Sequence, residues 1–252
     1  MASRLGHLQL MGFQNNMTGT LALVGAGEFL NSMSPVDRQL LDRAGGSNVV
    51  ILPTASAPDG PGVPERWIEL GVDHFTKLGA QADGLLVLDR VGCDDPGHAD
   101  RIRVANLVYF SGGKPDFLRK TLKDTAVWAA VSEVFDRGGV IAGCSAGAMI
   151  MGGHVPEFSL KVGVPWIDRW QPSFGLVPNA IIVPHYDEFP EVIVNLMFGR
   201  RPKGSYLIGV DGHTALVGVD HAWQVMGEGR VTVRRGKETK RYTTGQVVPL
   251  IS

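Results

Sequence analysis

Short apolar runs alternate with longer amphipathic segments over the first half of the chain. Strands alternating with helices are typical of a mostly parallel sheet covered on both faces. We therefore predict a three-layer αβα fold of the flavodoxin-like type. The apolar runs predict buried strands at Thr20–Val24, Asn48–Leu52, Gly84–Leu88, Asn106–Phe110 and Gly139–Ala142. The segments between them predict helices that begin near Ser34-Pro35 and cover Pro64–Leu78, Phe117–Leu122 and Ala126–Asp136.

The pattern changes after about residue 204, where short β-type runs follow one another without helical segments. Turn-forming residues separate these runs, and Asp-Gly is the strongest of their hairpin signals. We expect residues 205–235 to form a C-terminal antiparallel β extension of a single domain, 19–252. Residues 1–18 are predicted to be a loose leader. The runs are Tyr206–Val210, Thr214–Val219, Trp223–Met226 and Arg230–Arg234, with turns at Asp211-Gly212, Val219-Asp220-His221 and Gly227-Glu228-Gly229.

The composition excludes several classes of protein. The 252 residues are 44% hydrophobic and include 33 glycines, without a repeat or linker, which is typical of a turn-rich globular domain. Lys and Arg number 24 against 25 Asp and Glu, so nothing provides the basic field of a nucleic-acid-binding protein. The basic clusters Arg200-Arg201 and Arg234-Arg235 are expected to be solvated loop ends.

Cysteine content and hydropathy predict a cytoplasmic protein. The chain has two cysteines, Cys93 and Cys144, too few for a disulfide framework or a four-ligand zinc site. No apolar run reaches the length of a membrane span, and the first residues lack a signal-peptide core. We expect neither a membrane nor a nucleic-acid partner, and no cofactor or metal. The sequence leaves open whether the chain forms a homo-oligomer.

The most informative stretch has the pattern of a nucleophile elbow. Gly143-Cys144-Ser145-Ala146-Gly147 places G-x-S-x-G directly after a predicted strand and before an Ala/Met-rich helix start. Glycines on both flanks allow the sharp turn that exposes the Ser145 hydroxyl at a helix N-terminus. Cys144, one step before the apex, is expected to point into the sheet as a buried packing residue.

A serine nucleophile needs a base and donors for the oxyanion. The apolar run Ile181-Ile182-Val183 ends near His185, which makes this histidine the first candidate for the base. The Gly112-Gly113 pair follows another strand and can direct a backbone N–H at an oxyanion. Ala146, just after the nucleophile, would supply the second N–H.

Together these motifs resemble the cyanophycinase/aspartyl-dipeptidase family of serine peptidases. That family is similar to the class I glutamine-amidotransferase fold, with serine in place of cysteine. The resemblance covers about residues 19 to 235. It is carried by Val24-Gly25-Ala26-Gly27-Glu28, Leu52-Pro53-Thr54-Ala55-Ser56, Tyr109-Phe110-Ser111-Gly112-Gly113, Ala142-Gly143-Cys144-Ser145-Ala146-Gly147-Ala148, Pro184-His185-Tyr186 and Gly209-Val210-Asp211 with Thr214-Ala215-Leu216.

The resemblance implies a serine peptidase-like hydrolase that forms an acyl-enzyme without a metal. Ser145 would be the nucleophile, His185 the general base, and Gly113 with Ala146 the oxyanion hole. The implied substrate is a small peptide or related amide cleaved next to an aspartyl residue. Where the family usually has Asn, Asp or Gln after its glycine pair, this chain has Lys114, a candidate for binding an acidic group.

The acidic member of the triad is open in the sequence. The resemblance implies an acid between the serine and the histidine, where the chain offers Glu157 and Asp168. Asp168 is favoured because it follows a short apolar run. Asp187 and Glu188 are further candidates, although so close a neighbour of His185 rarely points in the right direction.

Two other functions compete with the peptidase prediction. The first is a non-catalytic, amidotransferase-like binding protein of the same fold. The second is an α/β-hydrolase esterase, which usually places its histidine near the C-terminus, here His213 or His221. A Rossmann site is disfavoured, because the G-x-G-x-x-G pattern that starts at Gly25 meets Leu30 where it needs glycine.

Overall fold

A computed structural model describes residues 19–161, 164–219 and 222–250. The predicted leader, residues 1–18, lies outside the described residues, as does His221. Short 3-10 turns cover Asn31–Met33, Thr54–Asp59 and Tyr186–Glu188. The helices are α1 Ser34–Ala44, α2 Val63–Lys77, α3 Arg90–Cys93, α4 Pro96–Arg103, α5 Pro115–Leu122, α6 Ala126–Asp136, α7 Ala146–Met149 and α8 Glu191–Phe198. The strands are β1 Thr20–Val24, β2 Asn48–Leu52, β3 Gln81–Gly84, β4 Leu107–Phe110, β5 Val140–Cys144, β6 His154–Lys161, β7 Val164–Pro172, β8 Ala180–Val183, β9 Tyr206–Val210, β10 Thr214–Val219, β11 Ala222–Gly227, β12 Arg230–Arg235, β13 Glu238–Thr243 and β14 Val247–Val248.

The larger sheet confirms the predicted mostly parallel α/β architecture. Its order is β14-β11-β10-β1-β5-β4-β2-β3, and β1, β5, β4, β2 and β3 run parallel. Strands β10, β11 and β14 extend it in antiparallel fashion. Side chains alternate between the two faces of each strand, so both faces need a covering layer. On one face they pack with α1 and α2, and on the other with α4, α5 and α6.

A smaller sheet completes the fold beside the larger one. Its order is β13-β12-β9-β8, with β8 parallel to β9, and helix α8 packs against it through Val194 and Phe198. Strands β6 and β7 form a separate antiparallel pair over residues 154–172, which the sequence analysis did not predict. The antiparallel strands predicted at the C-terminus are present.

The partners of these C-terminal strands differ in part from the prediction. Strands β10 and β11 pair with each other, as the turn between them predicted. The turn at Asp211-Gly212, which has the strongest hairpin signal, instead carries the chain from β9 in the smaller sheet to β10 in the larger one. The turn at 227–229 leads the chain back to the smaller sheet, where β12 pairs with β9 and β13. A turn sequence fixes the local reversal but not which edges are free to accept the next strand.

The strand predicted at Gly84–Leu88 is the clearest shift in position. Strand β3 covers Gln81–Gly84, and the residues after it are irregular. Leu85 and Val87 are buried although they lie outside the strand. Leu85 N–H still donates to the Ile51 carbonyl of β2 at 3.0 Å, and the side chains of Leu85 and Val87 pack in the core cluster that includes α4 and α5. Among the described residues no helix is long and apolar enough to cross a membrane.

Candidate active site

Strand register brings several loops to one edge of the larger sheet. Val24 pairs with Cys144, Phe110 with Gly143, and Leu52 with Phe110. The residues that follow β1, β2, β4 and β5 therefore emerge side by side at the carboxyl edge. Sites of open α/β sheets lie at this edge.

Ser145 stands at the apex of a strained turn at this edge. It directly follows β5. Its backbone has φ 51° and ψ −111°, a conformation that residues other than glycine rarely adopt. The Ser145 N–H donates to the carbonyl of Val24 at 3.0 Å, and the Ser145 carbonyl accepts from Met149 N–H at 3.0 Å. These bonds hold the turn from both sides and leave the half-buried side chain at the start of α7.

Gly143 and Gly147 allow the elbow because the backbones meet there. A Cβ atom at Gly143 would lie 2.4 Å from the carbonyl carbon of Gly147. A Cβ atom at Gly147 would lie 2.5 Å from the carbonyl oxygen of Phe110. Both distances are far below van der Waals contact, so the two glycines of the motif are required by packing between β4, β5 and α7.

His185 reaches Ser145 from the smaller sheet. It follows β8 in a left-handed conformation with φ 49°. Its Nε2 lies 3.3 Å from Ser145 Oγ, and its Nδ1 lies 3.0 Å from Oε1 of Glu188. With the proton on Nδ1, the ring donates to Glu188 and its Nε2 is free to accept the hydroxyl proton of Ser145. His213, the esterase alternative, instead contacts Ser32 Oγ through Nδ1 at 2.7 Å.

The carboxylate in contact with the histidine ring is Glu188, rather than Asp168 or Glu157. Glu157 accepts from Gln171 at 3.0 Å and pairs with Arg169 and Lys120. The Gln171 hydrogen bond and the Lys120 and Arg169 charges lower the pKa of Glu157. Asp168 is exposed on β7. The observed carboxylate contact to the ring is therefore made by Glu188, whereas the sequence analysis favoured Asp168.

The turn after His185 explains how so near a neighbour can reach the ring. Residues three apart eclipse one another in a 3-10 turn. Tyr186–Glu188 form such a turn, and Glu188 N–H donates to the His185 carbonyl at 3.0 Å. The i, i+3 spacing thus returns the Glu188 side chain to the imidazole. The sequence signal is a histidine followed three residues later by an acid, but it is informative only once the turn is known.

The glycine loop that carries one of the predicted oxyanion donors lies close to Ser145. A Cβ atom at Gly112 would lie 3.3 Å from Ser145 Cβ, which shows how closely this loop approaches. Gly113 has φ 143°, and a Cβ atom there would lie 2.2 Å from the carbonyl oxygen of Ala55, so a side chain is excluded. Hydrogen bonds among the described residues use the N–H of neither Gly113 nor Ala146.

Glu28 is a residue of this site that the sequence analysis quoted only within a turn motif. Its Oε1 accepts from Gly112 N–H at 3.1 Å, and its Oε2 accepts from the Cys144 thiol at 2.8 Å. The side chain therefore ties the loop after β1 to the glycine loop after β4. Nothing in its local sequence predicts this, because the contact depends on the neighbouring positions of β1, β5 and β4.

Cys144 is inaccessible, as predicted. Its side chain is fully buried. Burial raises the pKa of the Cys144 thiol well above its ordinary value, and the nearby Glu28 charge raises it further. A protonated, buried thiol is a poor nucleophile, which leaves Ser145 as the nucleophile candidate of the elbow.

Lys114 lies beside the glycine loop, at the start of α5. Its N–H donates to the Ala55 carbonyl at 2.7 Å, which fixes the backbone. Its exposed Nζ lies 3.3 Å from Oδ1 of Asp59. The cation predicted to face an acidic group thus already has an acidic partner on a neighbouring loop. Within the described ranges, no three His, Cys, Asp or Glu side chains are grouped so that they could hold a metal ion.

Known proteins match this chain over most of its length. The model of peptidase family S51 matches residues 21–226. The crystal structure of a peptidase from an acI-B1 actinobacterium is similar, with 34% sequence identity and a TM-score of 0.82, over 94% of this chain and 99% of that one. A putative peptidase E from Listeria monocytogenes EGD-e shares the fold at 21% identity and a TM-score of 0.59, over 90% of this chain and 99% of that one. Among curated proteins, none matched.

The mixed α/β fold, the serine elbow and these matches define a serine-type peptidase. The chain belongs to peptidase family S51. The family resemblance stated from the motifs is thereby confirmed. Membership of a peptidase family also favours the hydrolase prediction over a non-catalytic binding protein.

Proposed function

We propose that this peptidase hydrolyses a small peptide or related amide next to an aspartyl residue, through an acyl-enzyme on Ser145. The observation that carries the proposal is the 3.3 Å approach of His185 Nε2 to Ser145 Oγ at a strained elbow. That distance suits a general base whose hydrogen bond to the nucleophile shortens when substrate binds. The family resemblance supplies the aspartyl preference.

In the first half of the reaction, Ser145 Oγ attacks the carbonyl carbon while His185 Nε2 accepts the hydroxyl proton. Glu188 accepts from Nδ1–H, which holds the tautomer and stabilises the imidazolium that forms. The amide C–N bond then breaks, and His185 returns the proton to the leaving amine. Water attacks the ester by the same route and frees Ser145.

Negative charge develops on the carbonyl oxygen in both halves of the reaction. We assign its stabilisation to the N–H groups of Gly113 and Ala146. Gly112 N–H is already engaged by Glu28 at 3.1 Å, so Gly113 is the donor left on that loop. The Ala146 N–H also benefits from the positive end of α7. Such a donor is worth about a hundredfold to a thousandfold in rate.

The first test is turnover of α- and β-aspartyl dipeptides beside neutral dipeptides. Because Ser145 supplies the nucleophile, Ser145→Ala should lower kcat by about a thousandfold or more. Ser132→Ala removes a hydroxyl from a half-buried position on α6 and should leave the rate unchanged. Equal turnover of neutral dipeptides would contradict the aspartyl preference, and turnover by Ser145→Ala would contradict the mechanism.

We further propose that Lys114 binds the acidic side chain of the substrate. Its ammonium group would release Asp59 and pair with the substrate carboxylate instead. Lys114→Gln should then raise KM for an aspartyl dipeptide about tenfold, the value of one charged hydrogen bond. Asp59→Asn releases the lysine and should lower KM. The control is Lys120→Gln on the same helix, which is exposed and also paired with carboxylates. An unchanged KM in both Lys114→Gln and Asp59→Asn would remove Lys114 from the site.

A further inference from the structure

A basic cavity of about 770 Å³ lies at the amino ends of β8 and β9. Its wall includes Asn179, Arg201, Lys203, Tyr206 and Arg235. This volume falls within the range of small-molecule sites. The sequence analysis expected the arginines to be solvated loop ends. The structure instead brings Arg201 and Arg235, from distant parts of the chain, half-buried into one wall.

The cavity is separate from the candidate active site. Asn179 directly precedes β8, whereas His185 follows the carboxyl end of the same strand. Tyr206 begins β9, which runs parallel to β8, and Arg235 ends the antiparallel β12. The cavity therefore opens at the end of this sheet opposite to His185, about 13 Å away along a four-residue strand.

Arg235, a wall residue of this cavity, has unpartnered donors. Its guanidinium carbon lies 4.5 Å from the centre of the Tyr206 ring, a cation–π contact that fixes the plane of the group. Its Nε and Nη2 atoms are buried and have no hydrogen-bond partner. Buried polar atoms are seldom left without partners, and each that is needs an explanation. Two adjacent donors on one fixed guanidinium match the oxygens of an oxyanion.

The Arg201 side chain is held in the cavity wall by backbone carbonyls. Arg201 donates through Nε to the Ser205 carbonyl at 3.3 Å and through Nη1 to the Phe198 carbonyl at 3.4 Å. Burial, together with the nearby Arg234 charge, lowers the pKa of Arg201. No carboxylate of the described ranges forms an ion pair with Arg201, Lys203, Arg234 or Arg235.

Positive charge is concentrated at this cavity and is not a property of the whole chain. The whole chain has a net charge of −1. Gathering like charges without a counter-charge is unfavourable, and a bound anion would remove that cost. A single carboxylate carries one negative charge, whereas a phosphate monoester carries nearly two and a diphosphate more. A site with several cations is therefore neutralised better by a phosphate than by a single carboxylate, and the planar guanidinium groups can each bind two phosphate oxygens.

We propose that this cavity binds a small molecule carrying a phosphate or diphosphate group. Arg235 and Arg201 would hold the phosphate oxygens, and the exposed Lys203 would add charge at the mouth. The remaining volume accommodates the organic part of the ligand. The proposal does not depend on the peptidase reaction proposed above.

The test is isothermal titration of the full chain with sodium pyrophosphate and, separately, with sodium citrate at constant ionic strength. We expect saturable pyrophosphate binding that is at least about tenfold weaker in Arg235→Gln, since charged hydrogen bonds are lost. The exposed variant Lys203→Gln should also bind more weakly, and it cannot disturb a buried contact. Arg43→Gln removes the same charge from an exposed position on α1 and should bind as the wild type does.

Thermal unfolding of each variant establishes that it is folded before titration. Absence of saturable binding would overturn the proposal. So would unchanged affinity in both Arg235→Gln and Lys203→Gln, or an equal loss in Arg43→Gln. Citrate binding as tightly as pyrophosphate would overturn the assignment to phosphate.

Discussion

Ser145 and His185 both have positive φ angles, 51° and 49°, which side-chain-bearing residues rarely adopt. Such conformations cost of the order of 1–3 kcal/mol each and persist where the surrounding structure fixes them. Here each one turns a side chain from the end of a strand toward the other. The motif around Ser145 predicts this strain, since G-x-S-x-G between a strand and a helix is typical of a sharp, strained turn.

The acidic partner of His185 shows where residue-level reasoning fails. Proximity in sequence argued against Glu188, because an extended chain would direct its side chain away from the ring. The left-handed His185 and the 3-10 turn after it reverse that direction. The prediction depended on a backbone conformation that no local residue type signals.

Variants of the three candidate acids test this assignment. Glu188 is 63% exposed, so solvent screens its charge and its main effect is to orient the ring. We expect Glu188→Leu to lower kcat about tenfold and Glu188→Gln, which keeps an acceptor, to lower it less. Asp168→Asn and Glu157→Gln should leave kcat unchanged. A large loss in either of these, with Glu188→Leu unaffected, would contradict the assignment.

At the scale of elements, the central strands β1, β2, β4 and β5 were predictable because they are apolar and buried along almost their whole length. The pairing of the C-terminal strands was not. A strand pairs with whichever sheet edge is still unpaired. Which edge is unpaired depends on residues far away in the chain. Strands β9 and β10 are neighbours in sequence, yet they belong to different sheets.

The junction of β4, β5 and α7 is the element contact that positions Ser145. Gly147→Ala would place a methyl group 2.5 Å from the Phe110 carbonyl oxygen, and we expect it to lower the free energy of unfolding by about 1–3 kcal/mol. Gly92→Ala on α3 is a matched control, since the nearest atom to its Cβ is at 3.5 Å. Denaturant unfolding measures both. Equal stability of the two variants would contradict the packing account of the elbow.

At the scale of the whole molecule, the site is assembled across two sheets. Ser145 and Gly113 come from the larger sheet and His185 from the smaller one. The two are joined near the site by the bridge between Ala26 and Gly212, and by Gly212 N–H donating to Asp187 at 2.7 Å. The sequence motifs predicted that His185 meets Ser145, but not that Glu188 contacts the His185 ring. The basic cavity was beyond such prediction, since its cations are brought together only by the smaller sheet.

The central claim is that Ser145, activated by His185, is the nucleophile. The most direct measurement is labelling with a fluorophosphonate probe, followed by mass spectrometry of the modified peptide. The account predicts one adduct, on the peptide that contains Ser145. It further predicts no adduct in Ser145→Ala and labelling slowed by about a hundredfold or more in His185→Gln. An adduct on another residue, or labelling of Ser145→Ala at the wild-type rate, would contradict the account.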